Sequence, residues 1–452
     1  MSNIHDQAMH YIYQQVLQRL LDHMTQAQRA SVQLLVQRLL VAAGGLEYIG
    51  GFRLLMLHGS DPRSARLLAI LRAAQLSIAL RGPETFRLRV VIGSQPALRE
   101  EILREHDRAF SALFLHDDPR VQLLMLKAGQ VLPFTVRGDE TEGCAPAERE
   151  ALLLFGHLTG GRPEALLGSR LHLELADAYG RLLAWDGGDS ALVTAMPERQ
   201  RRRFLAWSRA SLRVVGYGGL HGAQPCVGTL CASLGRLRAL AAAPLERPEP
   251  VTQVSENTPT LRLIPLDDLL QPINEGERLL QMLGHSDTAL GGGAALATFF
   301  DPTPLAHLQA LRARLLQGKD EGLCSQLWQE QARALFEQGY GIGDTQLVCL
   351  LFTPFVDRGR GLGHFVQRCH PNMRVALPYL HRALQGKPCP EAVLRWLIET
   401  SGLNLAQLRA LYLGRVAQPA LQLLKALARR DSRLSLLAQR PLCVEAKDRT
   451  AI

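Results

Sequence analysis

The sequence predicts an α/β unit joined to a mostly α-helical remainder. Three observations predict it. First, a short apolar run, a polar turn and a helical pattern recur three times between residues 46 and 136. Second, the chain on either side reads almost entirely with helical spacing of its apolar residues. Third, one stretch, Pro244–Thr260, is rich in Pro, Glu, Ser and Thr and divides the chain. The expected order is an N-terminal helical hairpin (1–45), a small parallel-sheet α/β domain (46–140), a mainly helical region (141–243), a linker (244–260) and a mainly helical C-terminal domain (261–452).

The hairpin rests on Ile12, Val16, Leu20 and Met24, and after a turn near Thr25 on Val32, Leu35, Leu39 and Ala43. Gly44-Gly45 ends it. The α/β units follow. "FRLLMLH" leads into "GSDPRSARLLAIL", "FRLRVVIG" into "SQPALREEIL", and "FSALFLH" into "DDPRVQLLML". Each turn carries a Ser or Asp shortly before a Pro. A Ser or Asp side chain caps the free N–H groups of a helix start, and a Pro there has no N–H to leave orphaned. Such units imply βαβ crossovers and a parallel sheet, closed by "QVLPFTV". The third helix is short enough to be a strand instead. Residues 146–243 read as helices interrupted by one strand-like run, "SLRVVGYGG". In the C-terminal part "TQLVCLLFTPF" is a second strand candidate among helices, and the tail "CVEAKDRTAI" reads as frayed.

Composition bounds the function. The chain has 452 residues, 47% hydrophobic and 21% charged, as ordinary globular proteins do. No run reaches the roughly 18 apolar residues of a membrane span, and the start lacks the marks of a secretory signal. The expected location is the cytoplasm. The 8 Cys are scattered, which argues for reduced, partly buried thiols. Net charge is +9 and the pI about 9.3, which invites a nucleic-acid reading. Only five of the 51 Lys and Arg residues are Lys, however, so the Arg excess also fits GC-rich codons. The tightest Arg group, "ERQRRRF" at Glu198–Phe204, reads as a solvated helix face, with an anionic partner as its rival.

Candidate sites follow from the α/β turns. In a parallel sheet, ligands sit outside the carboxyl ends of the strands. That edge is expected to gather His58, Ser60, Ser94, His116, Asp117 and Asp118. His58, His116, Asp117 and Asp118 are the candidates for acid–base chemistry, Ser60 and Ser94 for ligand binding. Against this, the Ser and Asp residues already serve as caps, and no glycine-rich phosphate loop is present. "VVGYGGLHG" spaces Gly216, Gly218 and Gly222 like a loosened dinucleotide fingerprint, but no acidic residue stands about 20 positions on, so a glycine-rich turn is preferred. His221, Cys226 and Cys231 form one loose group, and His364, Cys369, His370, His381 and Cys389 another. Neither has the paired spacing of a structural zinc site, so no metal and no cofactor is expected. Leu394–Gly414 has the outline of a helix-turn-helix, with Asn404, Gln407 and Arg409 as its base-reading candidates.

The leading expectation is a non-catalytic regulatory or scaffold protein acting through protein–protein contacts. One alternative is an enzyme or ligand-binding protein with its site at the carboxyl edge of the sheet. The other is a DNA-binding regulator using residues 394–414. A protein partner is expected, nucleic acid is the alternative partner, and the oligomeric state is open.

Overall fold

A computed structural model describes residues 2–59, 61–82, 84–94, 100–127, 130–136, 146–163, 165–169, 191–195, 262–270, 277–285, 303–318 and 326–434, with positions 173, 198, 201, 202, 205, 206, 209, 213, 244 and 245. The fold combines a six-stranded mixed sheet with a helical C-terminal array.

The N-terminal hairpin is present as α1 (Ser2–His23) and α2 (Gln26–Ala43). Thr25 caps α2: its hydroxyl accepts the Gln28 N–H, and the Gln28 side chain accepts the Thr25 N–H in return. Gly44 ends the helix in the left-handed conformation, at φ 91°. After a short 3-10 turn (Leu46–Gly51) come β1 (Arg53–Leu57), α3 (Pro62–Ala79), β2 (Arg87–Ser94) and α4 (Glu100–Ala112). Asp61 caps α3 by accepting from the Arg63 and Ser64 N–H groups at 3.0 and 3.2 Å, with Pro62 in the first turn. The first strand–helix unit thus forms as its turn chemistry dictates; in the second, β2 and α4 are present, and the turn between them, residues 95–99, lies outside the described residues.

The third unit differs. "FSALFLH" is not a strand. Its first residues complete α4, because Phe110 and Leu113 continue the buried helical face of Leu103, His106 and Ala109. The chain then turns through Phe114, at φ 53°. "DDPRVQLLML" supplies β3 (Val121–Lys127), the strand alternative to a short helix. The run "QVLPFTV" supplies β4 (Gln130–Pro133), which pairs antiparallel with β3. The sheet is therefore parallel in its body with one antiparallel edge.

Two further strands lie outside residues 46–140. β5 (Ala191–Thr194) and β6 (Arg262–Pro265) bring the order to β4-β3-β2-β1-β5-β6. All pairings except β3–β4 are parallel, and Leu54 of β1 sits beside Leu88 of β2 on one side and Ala191 of β5 on the other. "SLRVVGYGG", apart from Arg213, lies outside the described residues, as do most of the 244–260 segment and the tail beyond 434.

The remaining helices are α5 (Pro146–Leu158), α6 (Arg278–Met282), α7 (Thr303–Gln317), α8 (Gln326–Tyr340), α9 (Asp344–Phe352), α10 (Leu362–Cys369), α11 (Leu377–Leu384), α12 (Glu391–Ser401), α13 (Leu405–Leu413) and α14 (Gln418–Leu434). "TQLVCLLFTPF" is helix α9, not a strand. A short apolar run is ambiguous in period. Here Gly343 begins a helix and Thr353, left-handed at φ 45°, ends it.

The sheet divides two cores. Leu54, Met56, Leu88, Val90, Ile92 and Val193 pack on α1–α4 and α6. Leu55, Val91, Leu124, Leu126 and Leu192 face α5 and α7–α14. This follows from strand alternation, since neighbouring side chains point to opposite faces. It also follows from crossover handedness. Stepping from β1 to β3 places α3 and α4 on one face, and reversing direction past β1 sends α5 to the other. No described helix is long and apolar enough to cross a membrane.

Candidate functional site

From β1 the chain steps one way to β2 and β3, and in the other direction the neighbours are β5 and β6. The crevice outside the carboxyl ends of β1 and β5 is thus a topological switch point, where open α/β sheets hold ligands. The first turn of α3 stands at this crevice. Arg63 reaches across it and donates to the carbonyl of Ala195, just past β5, at 3.4 Å. Its buried Nε has no partner.

Directly after β1 comes His58, whose backbone N–H is held by Val91 at 2.9 Å while its ring is buried. Neither ring nitrogen has a partner of full hydrogen-bonding geometry, although the Ser64 backbone lies near enough to favour the protonated ring slightly. The ring of His106 from α4 meets it edge-on at 4.9 Å, and Phe110 lies 5.5 Å away. His285, just beyond α6, adds a third imidazole close enough to act on both. Burial, and then the neighbouring histidines, hold His58 well below the ordinary histidine range. Burial lowers His106 to about 3. Burial also lowers His285, against the opposing charge of Asp61. All three imidazoles are therefore neutral at pH 7. Neutral imidazole offers one donor and one acceptor, so the cluster can bind a polar group. It is poorly matched to proton transfer at neutral pH, which calls for a pKa near the working pH.

A second layer fixes the position of α6 and hence of His285. Glu277, one residue before α6, accepts from Arg66 Nε at 3.0 Å, from a second Arg66 nitrogen, and from Gln28 at 2.6 Å. Arg66 and Glu277 are both buried, so this pair ties α3 and α2 to α6 at the back of the cluster.

The expected site residues fall in different places. His58 lies at the carboxyl edge, as does Ser94, the last residue of β2. Ser60 lies outside the described residues. His116, Asp117 and Asp118 are not at that edge. Because the third strand begins at Val121, they precede it and lie at the sheet's amino end. There His116 and Asp117 are exposed, and His116 contacts Asp107 at 3.1 Å. Asp118 is buried and accepts from Arg72 at 2.7 Å and from Arg120 at 2.8 and 2.7 Å. Burial pushes its carboxyl up, but the hydrogen bonds of Arg120 and the charge of Arg72 outweigh that and hold it at about 2. The Arg120 guanidinium also lies 4.3 Å from the Tyr13 ring centre. Asp118 is thus the hub of an ion-pair lock joining α1, α3 and the approach to β3.

Asn404, Gln407 and Arg409 also have structural partners. Asn404 and Gln407 form a capping box at the start of α13, with reciprocal distances of 2.9 and 3.0 Å. Gln407 donates onward to Glu150 of α5 at 2.7 Å. Arg409 donates to the Ala383 carbonyl at 3.2 Å. Ser401, polar at the helix crossing, is buried with its hydroxyl donating to the Leu397 carbonyl.

Of the two loose His/Cys groups, His221, Cys226 and Cys231 lie outside the described residues, together with Gly216, Gly218 and Gly222. The other group disperses: His381 bonds Tyr412, His370 meets Trp396 edge-on, and His364 faces Phe352. No metal-binding group of His, Cys, Asp and Glu occurs among the described residues. Cys349, Cys369 and Cys389 are free thiols, the first fully buried. In "ERQRRRF", Arg201 pairs with Asp267 at 3.1 Å and Arg202 with Glu198.

Sequence reasoning missed Arg63, His106 and His285. His106 carried a signal, since it falls on the buried stripe of α4. Arg63 and His285 carried none, because their placement depends on β5 and α6, distant in sequence. No family model, no curated protein and no solved structure matches the chain.

Proposed function

We propose that the chain is a non-catalytic regulatory protein that binds a small anionic or carbonyl-bearing ligand at the β1–β5 switch point. One observation carries this reading. Where the strand order reverses, a guanidinium spans the crevice with a buried nitrogen left unpartnered. Buried polar groups ordinarily have partners, and an orphan at a ligand-binding position is best explained by a ligand. The imidazole of His58 behind it, without a partner of full hydrogen-bonding geometry, supports the same reading. The depressed histidines favour binding over acid–base catalysis. The Asp61 carboxylate already occupies the start of α3, so Arg63, and not the helix terminus, supplies the positive charge. The regulatory output passes to a protein partner through the helical layers on either side of the sheet.

Thermal unfolding in the presence of inorganic phosphate, citrate and nucleoside monophosphates tests the proposal. A ligand at a hundredfold excess over its Kd stabilises the folded state by about 2.7 kcal/mol. At least one probe is expected to raise the Tm, and Arg63→Leu to abolish that rise while the ligand-free Tm stays put. The reading fails if no probe shifts the Tm, or if the Leu variant responds as the parent does.

A further inference from the structure

The positive charge of this chain is concentrated. Residues 357–415 hold nine Lys and Arg against three acidic residues, six of the nine net positive charges of the whole molecule. Eight of those nine basic residues are Arg. Arg358, Arg360, Arg382, Lys387 and Arg415 are exposed. None of the five side chains forms an ion pair or hydrogen bond among the described residues. The acidic side chains of the stretch do little to neutralise them: Glu391 is taken by Arg395 at 3.2 Å, Glu399 lies on α12, and only Asp357 stands beside Arg358.

The segments that carry these cations pack against one another. Gly359, between Arg358 and Arg360, lies so close to α11 and α13 that a Cβ on it would fall 2.8 Å from Tyr412 and 3.1 Å from His381. His381, next to Arg382, bonds the Tyr412 hydroxyl at 3.0 Å. Gly386, next to Lys387, approaches Arg409, which is itself tied to Ala383. Arg415 follows the end of α13, its N–H held by Ala410. The 357–360 loop, α11 and α13 thus pack together, and exposed cations stand in the loop, on α11, and just past the ends of α11 and α13.

The loop that presents two of them is strained. Asp357, Arg358 and Gly359 are consecutive left-handed residues, at φ 51°, 58° and 71°. A non-glycine residue in that region costs on the order of 1 kcal/mol or more, and strain of this kind gathers at functional sites. On α11, Tyr379 is exposed one turn before Arg382.

We infer that this surface binds the phosphate backbone of nucleic acid without reading its sequence. Guanidinium groups match phosphate geometry in a way an ammonium does not. Relief built from several segments suits a grooved polyanion, and an exposed tyrosine beside arginines offers a stacking ring for a base. The surface is separate from the base-reading face expected at Asn404 and Gln407, whose side chains cap α13 and bond α5.

The test uses the full chain and a fluorescent mixed-sequence DNA, single- and double-stranded, with binding followed against salt. The site variant is Arg360→Gln/Arg382→Gln/Lys387→Gln, which spares the strained Arg358 and the hydrogen-bonded Arg409. The control is Arg19→Gln/Arg81→Gln/Arg87→Gln, with the same loss of charge elsewhere. The site variant is expected to bind roughly tenfold more weakly near physiological salt and to flatten the log–log salt slope by about 2–3, nearly one for each phosphate no longer neutralised. The control is expected to change affinity less than about twofold. Arg360→Lys/Arg382→Lys is expected to keep the parent's salt slope, because the charge remains, and to lose less affinity than the Gln variant, which separates lost charge from lost folding. Equal weakening by the two triple variants would overturn the inference in favour of diffuse charge. So would binding to phosphatidylserine vesicles with none to DNA, or no binding at physiological salt.

Discussion

Asp118 shows how far a residue's role depends on partners remote in sequence. A carboxylate in an exposed-looking turn, "HDDPR", resembles a catalytic or capping group. Its fate is set by Arg72, 46 positions earlier in the chain and fully buried. That guanidinium also donates to the carbonyls of Leu113 and Phe114 and to Gln75. Removing the carboxylate leaves a buried cation uncompensated, which typically costs 3–5 kcal/mol. Asp118→Asn is therefore expected to lower unfolding stability by about that amount in denaturant titration; a loss under about 1 kcal/mol would show the lock to be dispensable. The buried histidines set a second expectation. His106 is held at about 3 and His157 at about 4, both by burial, against 6.5 for an unfolded histidine. The unfolded chain binds protons that the folded chain refuses. Stability is thus complete above about pH 6.5 and falls as the pH drops toward the folded values, by up to about 1.4 kcal/mol per pH unit for each such histidine. Between pH 7 and 5, His106→Leu should lose about 2 kcal/mol less than the parent. Identical losses would mean that His106 is not protected from protonation.

At the scale of elements, local chemistry was legible and pairing was not. Asp61 stands where the sequence places a helix cap, and it caps α3; Thr25, read only as a turn, and Asn404, read as a base-reading candidate, are caps as well. Those signals need only a few neighbouring residues. β5 and β6 are runs of four residues, "ALVT" and "RLIP", that become strands only because β1 and then β5 offer them an open edge. "FSALFLH" misleads for the opposite reason: its apolar residues continue a helix already under way. The α12–α13 hairpin has the sequence outline of a DNA-reading unit. What the sequence could not reveal is α5, which packs on it. Gly402 makes the turn at φ 71°, and a Cβ there would fall 2.9 Å from both Arg149 and Leu153 of α5. Gly402→Ala combines a left-handed alanine, about 1–2 kcal/mol, with that close approach. A destabilisation of about 2 kcal/mol or more is expected, visible as a lower Tm. A neutral outcome would mean that α5 yields easily.

Over the whole molecule, the sheet ignores the division suggested by the Pro-rich segment. Ile264 and Leu263, beyond that segment, belong to the two cores on either side of the sheet, and Ala417 donates to Pro244 at its near end. A protease cut between residues 246 and 261 is accordingly expected to leave two fragments that co-elute in size exclusion and separate only in denaturant. Fragments that part freely under native conditions would show that β5–β6 pairing and the second core add little. The partition of β1, with Leu54 and Met56 on one side and Leu55 on the other, also bears on how the protein is made. Ribosomes deliver the chain from its N-terminus, so β1, β2 and β3 emerge well before the helices between residues 303 and 434. Until those arrive, α5 is the only described α-helix on the side of Leu55, Val91, Leu124 and Leu126, and much of that wall lacks its cover. Transiently exposed apolar sheet is prone to aggregate or to engage chaperones. The nascent protein therefore passes through a long vulnerable interval, which ends only when α14 has left the ribosome.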